Sequence, residues 1–290
     1  MSVSSVYKLK SVKILLKNQL NDNIIENILI FYWGLLPKRK VLLEWIDIDK
    51  LNWSNLSLNE NAIDLLRENL EKIDWIMLSS NINGIELLTE NMDKIDWYNL
   101  SGNSNGIELL SQNQEKICWD SLSYNKNGID LLKENLDKIN WGAFSYNKNG
   151  SELLKKHKNK INWHLLSFNS NGIEILKENK KRINWNLLSL NKNGIELLKE
   201  KKSKIDWINL SKNKNGIELL RENNNKINYG NLCLNKNGIK LLIENKDKIN
   251  WYNLSSNKNG IELLKENKDN IIWNQISTNV GIFKNECLPT

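Results

Sequence analysis

Residues 251–272 read WYNLSSNKNGIELLKENKDNII, and this stretch is one copy of a unit that repeats along most of the chain. An aromatic residue begins each copy at intervals of 22 residues, and it is tryptophan everywhere except at Tyr229. The series is Trp53, Trp75, Trp97, Trp119, Trp141, Trp163, Trp185, Trp207, Tyr229, Trp251 and Trp273. A strict period of this length is typical of a solenoid, in which each unit buries its apolar face against its neighbours.

The period divides the chain of 290 residues into three segments. We expect an N-terminal helical cap over residues 1–52, ten complete repeats over 53–272, and a partial repeat with a C-terminal tail over 273–290. The two prolines, Pro37 and Pro289, flank the array, and no linker-like composition interrupts it. We therefore predict one elongated domain that grows by the addition of units.

The second half of each unit predicts a short helix. In Asn-Gly-Ile-Glu, as at residues 193–196, the asparagine is placed to cap the helix and Glu196 to complete a capping box. The leucines that follow share one face, and the charged residues share the other. Asparagine after this helix, as at Asn179, suits a left-handed end. The glycine, as at Gly194, indicates close backbone contact between neighbouring units.

The first half of each unit predicts a second short helix that begins at the tryptophan. Asparagine or aspartate precedes the aromatic residue and is placed as its N-cap, as Asn184 is for Trp185. Cys118 and Ile272 are the two exceptions among the eleven positions. We therefore predict an all-α fold, an α-solenoid of 22-residue units that each contain a pair of short helices.

A leucine-rich-repeat-like α/β solenoid is the alternative fold. The step from Leu254 to Asn257 matches part of that motif, and its period allows 22 residues. The motif requires an apolar residue two positions before the leucine, where this chain has Tyr252 in one unit and mostly polar residues in the others. This mismatch favours the α-solenoid.

Residues 1–52 do not follow the period. We predict a helix from Ile24 to Trp33, and the apolar run Ile24–Leu36 is too short to span a bilayer, which takes about 20 residues. Residues 41–52 resemble a damaged half-unit. Residues 20–29 resemble the opening of an F-box, although Asn21 stands where that motif has proline, which suggests an adaptor role as a minor hypothesis.

Cysteine and histidine provide no framework for catalysis or for a metal. Cys118, Cys233 and Cys287 are odd in number and widely spaced, so they predict neither a disulfide set nor a zinc site. His157 and His164 lie seven residues apart beside no paired nucleophile. The sequence therefore predicts a protein that is not an enzyme and has no cofactor, in the cytoplasm or nucleus.

Charge is distributed unevenly along the array. Residues 53–140 contain 7 basic and 15 acidic side chains, whereas residues 141–290 contain 26 basic and 14 acidic ones. In an elongated solenoid these would be opposite poles, which suggests head-to-tail self-association through a poorly sealed carboxyl end.

One variable position of the tryptophan helix predicts a protein-binding strip. Apolar side chains occupy it in four successive units: Tyr124, Tyr146, Phe168 and Leu190. Exposed apolar strips commonly bind partners. Burial between adjacent units explains the same pattern equally well, and both interpretations stay open at this point.

Two residues further along each unit, lysine forms a ladder that is interrupted by Ser170. Its members are Lys126, Lys148, Lys192, Lys214, Lys236 and Lys258. A row of ammonium groups near helix starts is a candidate anion-binding site, and it suggests electrostatic nucleic-acid binding. Lysines that only solubilise a loop are the simpler explanation.

The array resembles the tryptophan-repeat proteins of AT-rich large DNA viruses, the entomopoxviruses and giant viruses. The resemblance rests on Ile-Asn-Trp-x-x-Leu-Ser-x-Asn and Asn-Gly-Ile-Glu-Leu-Leu, and it covers residues 45–282. It implies a viral protein in the host cytoplasm or nucleus, and it implies no reaction. We expect an interaction scaffold that binds a host or viral protein, with nucleic-acid binding and self-assembly as alternatives and no membrane partner.

Overall fold

The computed structural model describes residues 38–287. Within this range the chain forms an α-solenoid of repeated short helices with one two-stranded sheet, which confirms the predicted fold class. The predicted helix over residues 24–33 and the F-box-like segment over residues 20–29 lie outside the described residues.

Each unit begins with a helix at its aromatic residue, which we call the Trp helix. These helices are Trp53–Ser57, Trp75–Ser80, Trp97–Gly102, Trp119–Tyr124, Trp141–Phe144, Trp163–Phe168, Trp185–Leu190, Trp207–Lys212, Tyr229–Leu232, Trp251–Ser255 and Trp273–Ile276. We number the units 1 to 11 from Trp53 to Trp273.

A loop with two asparagines leads to a second helix, the Ile helix. These are Ile63–Arg67, Ile85–Glu90, Ile107–Gln112, Ile129–Glu134, Ser151–Lys156, Ile173–Glu178, Ile195–Glu200, Ile217–Glu222, Ile239–Ile243 and Ile261–Glu266. A 3-10 helix follows, an element that we did not predict: Leu70–Lys72, Met92–Lys94, Gln114–Lys116, Leu136–Lys138, Lys158–Lys160, Lys180–Arg182, Lys202–Lys204, Asn224–Lys226, Lys246–Lys248 and Lys268–Asn270. Three further 3-10 helices lie elsewhere in the described residues: Ile48–Lys50, Lys258–Gly260 and Val280–Ile282.

The core is continuous from unit to unit. In unit 7, Leu188 of the Trp helix and Leu198 of the Ile helix are completely buried, and Ile183 at the end of unit 6 is 7% exposed. The aromatic residues are half-buried against this core. A lysine of the 3-10 helix covers the indole in several units, as Lys116 does over Trp97 at 4.6 Å from the ring centre.

Buried asparagines join the units in a ladder. The amide nitrogen of Asn147 donates to the carbonyls of Ser123 and Asn125 in the preceding unit, at 3.1 and 2.7 Å. Its side-chain oxygen accepts from the backbone N–H of Asn149 at 3.0 Å. Because buried polar groups are costly without partners, this position requires asparagine, whose amide supplies both donors and an acceptor.

The capping of the Ile helix differs from the prediction. Gly194 is the N-cap and makes no side-chain cap hydrogen bond, so the predicted capping box is wrong. Asn193 instead donates to the carbonyl of Ser170 in the preceding unit at 2.8 Å. The left-handed helix end is also wrong, because Asn179 has a φ of −129° and its amide donates to the carbonyl of Ile175.

The glycine before the Ile helix is needed within its own unit. A Cβ on Gly194 would lie 2.8 Å from both the Cδ1 and the carbonyl oxygen of Leu188, which is in the Trp helix of the same unit. We expected this glycine to permit a contact between neighbouring units, and the contact instead lies within one unit. The Trp-helix caps are confirmed, since the side chain of Asn184 accepts from the backbone N–H of Leu187, and Cys118 and Ile272 make no such bond.

The first and last units are bonded to each other as neighbours. The side-chain amide of Asn59 donates to the carbonyl of Ser277 at 2.9 Å, and that of Asn61 donates to the carbonyl of Val280 at 2.8 Å. The same positions make the same bonds between consecutive units elsewhere. The solenoid therefore closes into a ring of eleven units, in which unit 11 precedes unit 1.

Unit 11 is assembled from both ends of the described chain. Residues 273–282 supply its Trp helix and loop, and residues 43–52 supply the return to Trp53. Leu43 donates its backbone N–H to the carbonyl of Ile282 at 2.8 Å, so the half-unit that the sequence suggested completes the ring.

A two-stranded antiparallel ribbon joins the two chain segments that form unit 11. Strand β1, Lys38–Leu42, pairs with strand β2, Phe283–Cys287, in a register that places Lys38 opposite Cys287. The ribbon packs beside the Ile helix of unit 1. Residues 38–42 are therefore extended where we expected the end of a helical cap; the boundaries of that cap stay a prediction.

Closure changes how the surface is arranged. Neighbouring Trp helices pack closely, whereas neighbouring Ile helices are more widely spaced, so the Trp helices lie toward the centre of the ring. The expectation of an elongated domain with an open carboxyl end is wrong, because units 1 and 11 cover each other. The acidic and basic halves are two arcs of one ring.

Candidate functional site

The four residues of the predicted strip lie side by side on the structure. Tyr124 is 49% exposed, and Tyr146, Phe168 and Leu190 are half-buried. The ring centres of Tyr124 and Tyr146 are 6.2 Å apart, edge to face. Those of Tyr146 and Phe168 are 5.1 Å apart and nearly parallel. Both interpretations of the strip hold in part, because the rings cover one another and still present a surface.

The six lysines of the predicted ladder are all exposed. They lie between the Trp helix and the Ile helix. Each lysine comes one residue after one of the buried asparagines that join successive units. The asparagines fix the loop backbones of successive units against each other, and this holds the lysines in a row.

One cavity of about 300 Å³ brings the strip and the ladder together. Residues from five successive units, from Tyr146 to Lys236, line it, which requires that the units curve toward a common centre. The predicted residues along its wall are Tyr146, Phe168, Leu190, Lys148, Lys192, Lys214 and Lys236. The two separate candidate sites are therefore one surface, which we call the inner site.

The cavity also has five lining residues that we did not predict as site residues: Ser170, Asn191, Lys212, Asn213 and Leu234. Lys212 and Leu234 occupy the strip position in units 8 and 9, and both line the cavity. The signal was present, since position within the unit identifies them. Tyr124, Lys126 and Lys258 belong to the same rows but do not line the cavity.

The inner site is strongly cationic. In the described part of the chain, none of its lysines forms an ion pair with a carboxylate. Lysines of the Ile helices behave differently, because Lys155 and Lys177 each pair with a glutamate of their own helix, at 2.9 and 2.8 Å. The inner site therefore presents unneutralised charge around an apolar strip.

Histidines and cysteines are dispersed and have structural neighbours. The ring of His157 lies 4.7 Å from that of Trp141, and Nδ1 of His164 is 2.8 Å from the amide nitrogen of Asn184. Cys233 is buried, which raises the pKa of its thiol, and its Sγ accepts the backbone N–H that a serine accepts in other units. None of these residues lines the inner site.

Residues 38–287 have neither a membrane-spanning helix nor a cluster of metal ligands. No helix there combines the length and the apolar composition that crossing a bilayer requires. In the same range, no group of three or more His, Cys, Asp or Glu side chains is placed to hold a metal ion.

A family model described as "NosD: Periplasmic copper-binding protein (NosD)" matches residues 111–286. The matched segment contains eight of the eleven Trp helices, so the similarity follows the tandem repeat. The described residues do not fit copper, because their histidines and cysteines lie apart with the partners given above. No curated protein and no solved structure is a significant match.

Proposed function

We propose that this chain, which belongs to the NosD family by a match over more than half of its length, is a non-enzymatic scaffold that binds a partner protein at the inner site of the ring. The family's name refers to copper binding, but the described residues of this chain do not fit a copper ion. The proposal rests on the ring.

The observation that carries the proposal is a constant framework with a variable lining. Leucine and serine recur in the core, and asparagine recurs in the row of buried asparagines; these residues hold the units together. The strip position instead carries Tyr, Phe, Leu or Lys from unit 5 to unit 9, and these side chains converge on one cavity. Repeat proteins commonly bind partners on such concave surfaces.

We also propose, from the resemblance to viral tryptophan-repeat proteins, that the partner is a host or viral protein in the cytoplasm or nucleus of an infected cell. The resemblance is carried by residues 45–282, and the ring contains all of them. An adaptor role for residues 20–29 stays a minor hypothesis outside the described residues.

Affinity purification from host-cell lysate tests the proposal. The bait is the full chain, compared with a variant in which Tyr124, Tyr146 and Phe168 are changed to serine. We expect the variant to lose at least one partner that mass spectrometry finds with the wild type. Circular dichroism must show that both proteins are folded.

A matched control removes apolar groups elsewhere. Tyr98, Ile208 and Tyr252 are 64%, 57% and 56% exposed, and none lines the cavity. Changing these three to serine should leave the partner list intact. Identical lists for the wild type and both variants would remove the strip from consideration.

Nucleic-acid binding is a second candidate function, and the unpaired lysines of the inner site favour it. Filter binding at rising salt tests this function, because phosphate contacts predict a steep loss of affinity with salt. Salt-independent binding would contradict it. Head-to-tail assembly loses its original basis, since units 1 and 11 cover each other. Light scattering at rising concentration would detect any remaining association.

A further inference from the structure

We propose that the occupant of the inner site is an extended acidic segment of a protein, in which carboxylates alternate with apolar side chains. This inference rests on the proposed function and names the chemistry of the partner. Three observations support it: the unpaired lysines, the mutual covering of the aromatic rings, and the spacing of the units.

The lysines select an anionic partner. Lys148, Lys192 and Lys214 are exposed and line the cavity, and no carboxylate of the described chain neutralises them. Glu60 is the acidic residue at the equivalent position, and it lies in unit 1, outside the cavity. An unneutralised row of one sign attracts ligands of the opposite sign and repels those of its own.

The aromatic rings favour a peptide over a nucleic acid. Non-specific single-strand binding depends on bases that stack on free aromatic faces. Here the faces of Tyr146 and Phe168 are turned to each other at 5.1 Å and 15°, and Leu190 and Leu234 continue the row on either side of Lys212. An aliphatic surface beside covered rings accepts apolar side chains and offers few platforms for bases.

The spacing of the units fits an extended chain. Ring centres in neighbouring units are 5.1 and 6.2 Å apart. Alternate residues of an extended strand are roughly 6.6 Å apart, and their side chains point to one side. A segment laid between the two rows would direct carboxylates to the lysines and apolar side chains to the strip.

Fluorescence anisotropy with labelled synthetic ligands tests the inference on the full chain. Four probes of similar length are compared: Glu alternating with Leu, Gln alternating with Leu, Glu alternating with Ser, and oligo(dT). Each peptide is long enough to span the units that line the cavity. We expect the Glu and Leu peptide to bind at least about tenfold more tightly than each of the others.

Charge-matched variants locate the site. The change of Lys148, Lys192 and Lys214 to glutamine should weaken binding of the Glu and Leu peptide about tenfold, since each contributes a partly exposed ionic contact. The control changes three exposed lysines of the 3-10 helices that do not line the cavity, Lys158, Lys202 and Lys246. It should change affinity less than about twofold.

Each other outcome overturns the inference. Tighter binding of oligo(dT) would favour a nucleic acid, equal binding of the Glu and Ser peptide would exclude the strip, and equal losses in both lysine variants would indicate general charge attraction. Failure of all four probes overturns it too. The proposed function would survive any of these results if partner capture from lysate still depended on Tyr124, Tyr146 and Phe168.

Discussion

A single substitution, Lys38→Cys, should allow the ring to be locked by a covalent bond. The register of the ribbon places Lys38 directly opposite Cys287, which is a free cysteine in the wild type. Directly opposed residues of an antiparallel pair share a face and have Cβ atoms about 4.5–5.5 Å apart. A disulfide needs a slightly shorter distance, which a small adjustment at the end of the ribbon provides.

The stabilisation expected from this disulfide depends on the size of the loop that the bond would close. Residues 38 and 287 are about 250 positions apart, so the loop-entropy relation gives a stabilisation of up to roughly 5 kcal/mol. For a chain of this size that corresponds to a rise in melting temperature on the order of 10 °C. Strain in the bond would reduce the effect, so this figure is an upper limit.

The assay compares oxidised and reduced forms of one protein. Cys118 and Cys233 are first changed to serine, so that Cys287 and the new cysteine are the only thiols. Dilute oxidation should consume both thiols, speed migration on non-reducing gels, and raise the midpoint of thermal unfolding followed by circular dichroism. The reduced form should unfold like its parent.

One result of this experiment would refute closure of the ring through the ribbon. If the oxidised protein forms disulfide-linked dimers and no internal bond, residues 38 and 287 are not neighbours and the ring does not close through this ribbon. An internal bond that leaves the unfolding midpoint unchanged would refute the entropy argument and leave the closure intact.

Three further predictions concern the units themselves. Asn147→Ala removes three hydrogen bonds and should lower the free energy of unfolding, measured in urea, by about 2–4 kcal/mol. A change near zero would contradict the role of the buried asparagines. Gly194→Ala should destabilise the fold by about 1–3 kcal/mol, because its Cβ would meet Leu188; an unchanged midpoint of urea unfolding would contradict this close contact. Because burial raises the pKa of its thiol, Cys233 should react with iodoacetamide at neutral pH far more slowly than half-buried Cys118; equal rates by mass spectrometry would contradict its burial.

Much of the unit could be predicted from the sequence. The tryptophan period predicted where each Trp helix begins, and the Asn or Asp before each tryptophan identified the N-caps, including the two exceptions. These features are local, because a cap or an amphipathic face depends on residues within one or two turns.

One group of errors concerned side chains that bond across units. Asn193 was predicted to cap its own helix, but it donates to the preceding unit, and the recurrent asparagine two residues before it forms the buried ladder. Asparagine is suited to both roles, so its identity alone does not distinguish them. The strip and the lysine ladder were predicted as separate sites, because the cavity that they share depends on the curvature of the array.

The sequence by itself determined a helical solenoid with a period of 22 residues, because core positions, helix starts and helix breaks are written into every copy. Only the tertiary structure decided that the solenoid is a ring. Trp helices pack more closely than Ile helices, so each unit turns the chain by about one eleventh of a circle, and the small angles add up until unit 11 meets unit 1. That angle arises from packing between units, and no single copy of the sequence specifies it.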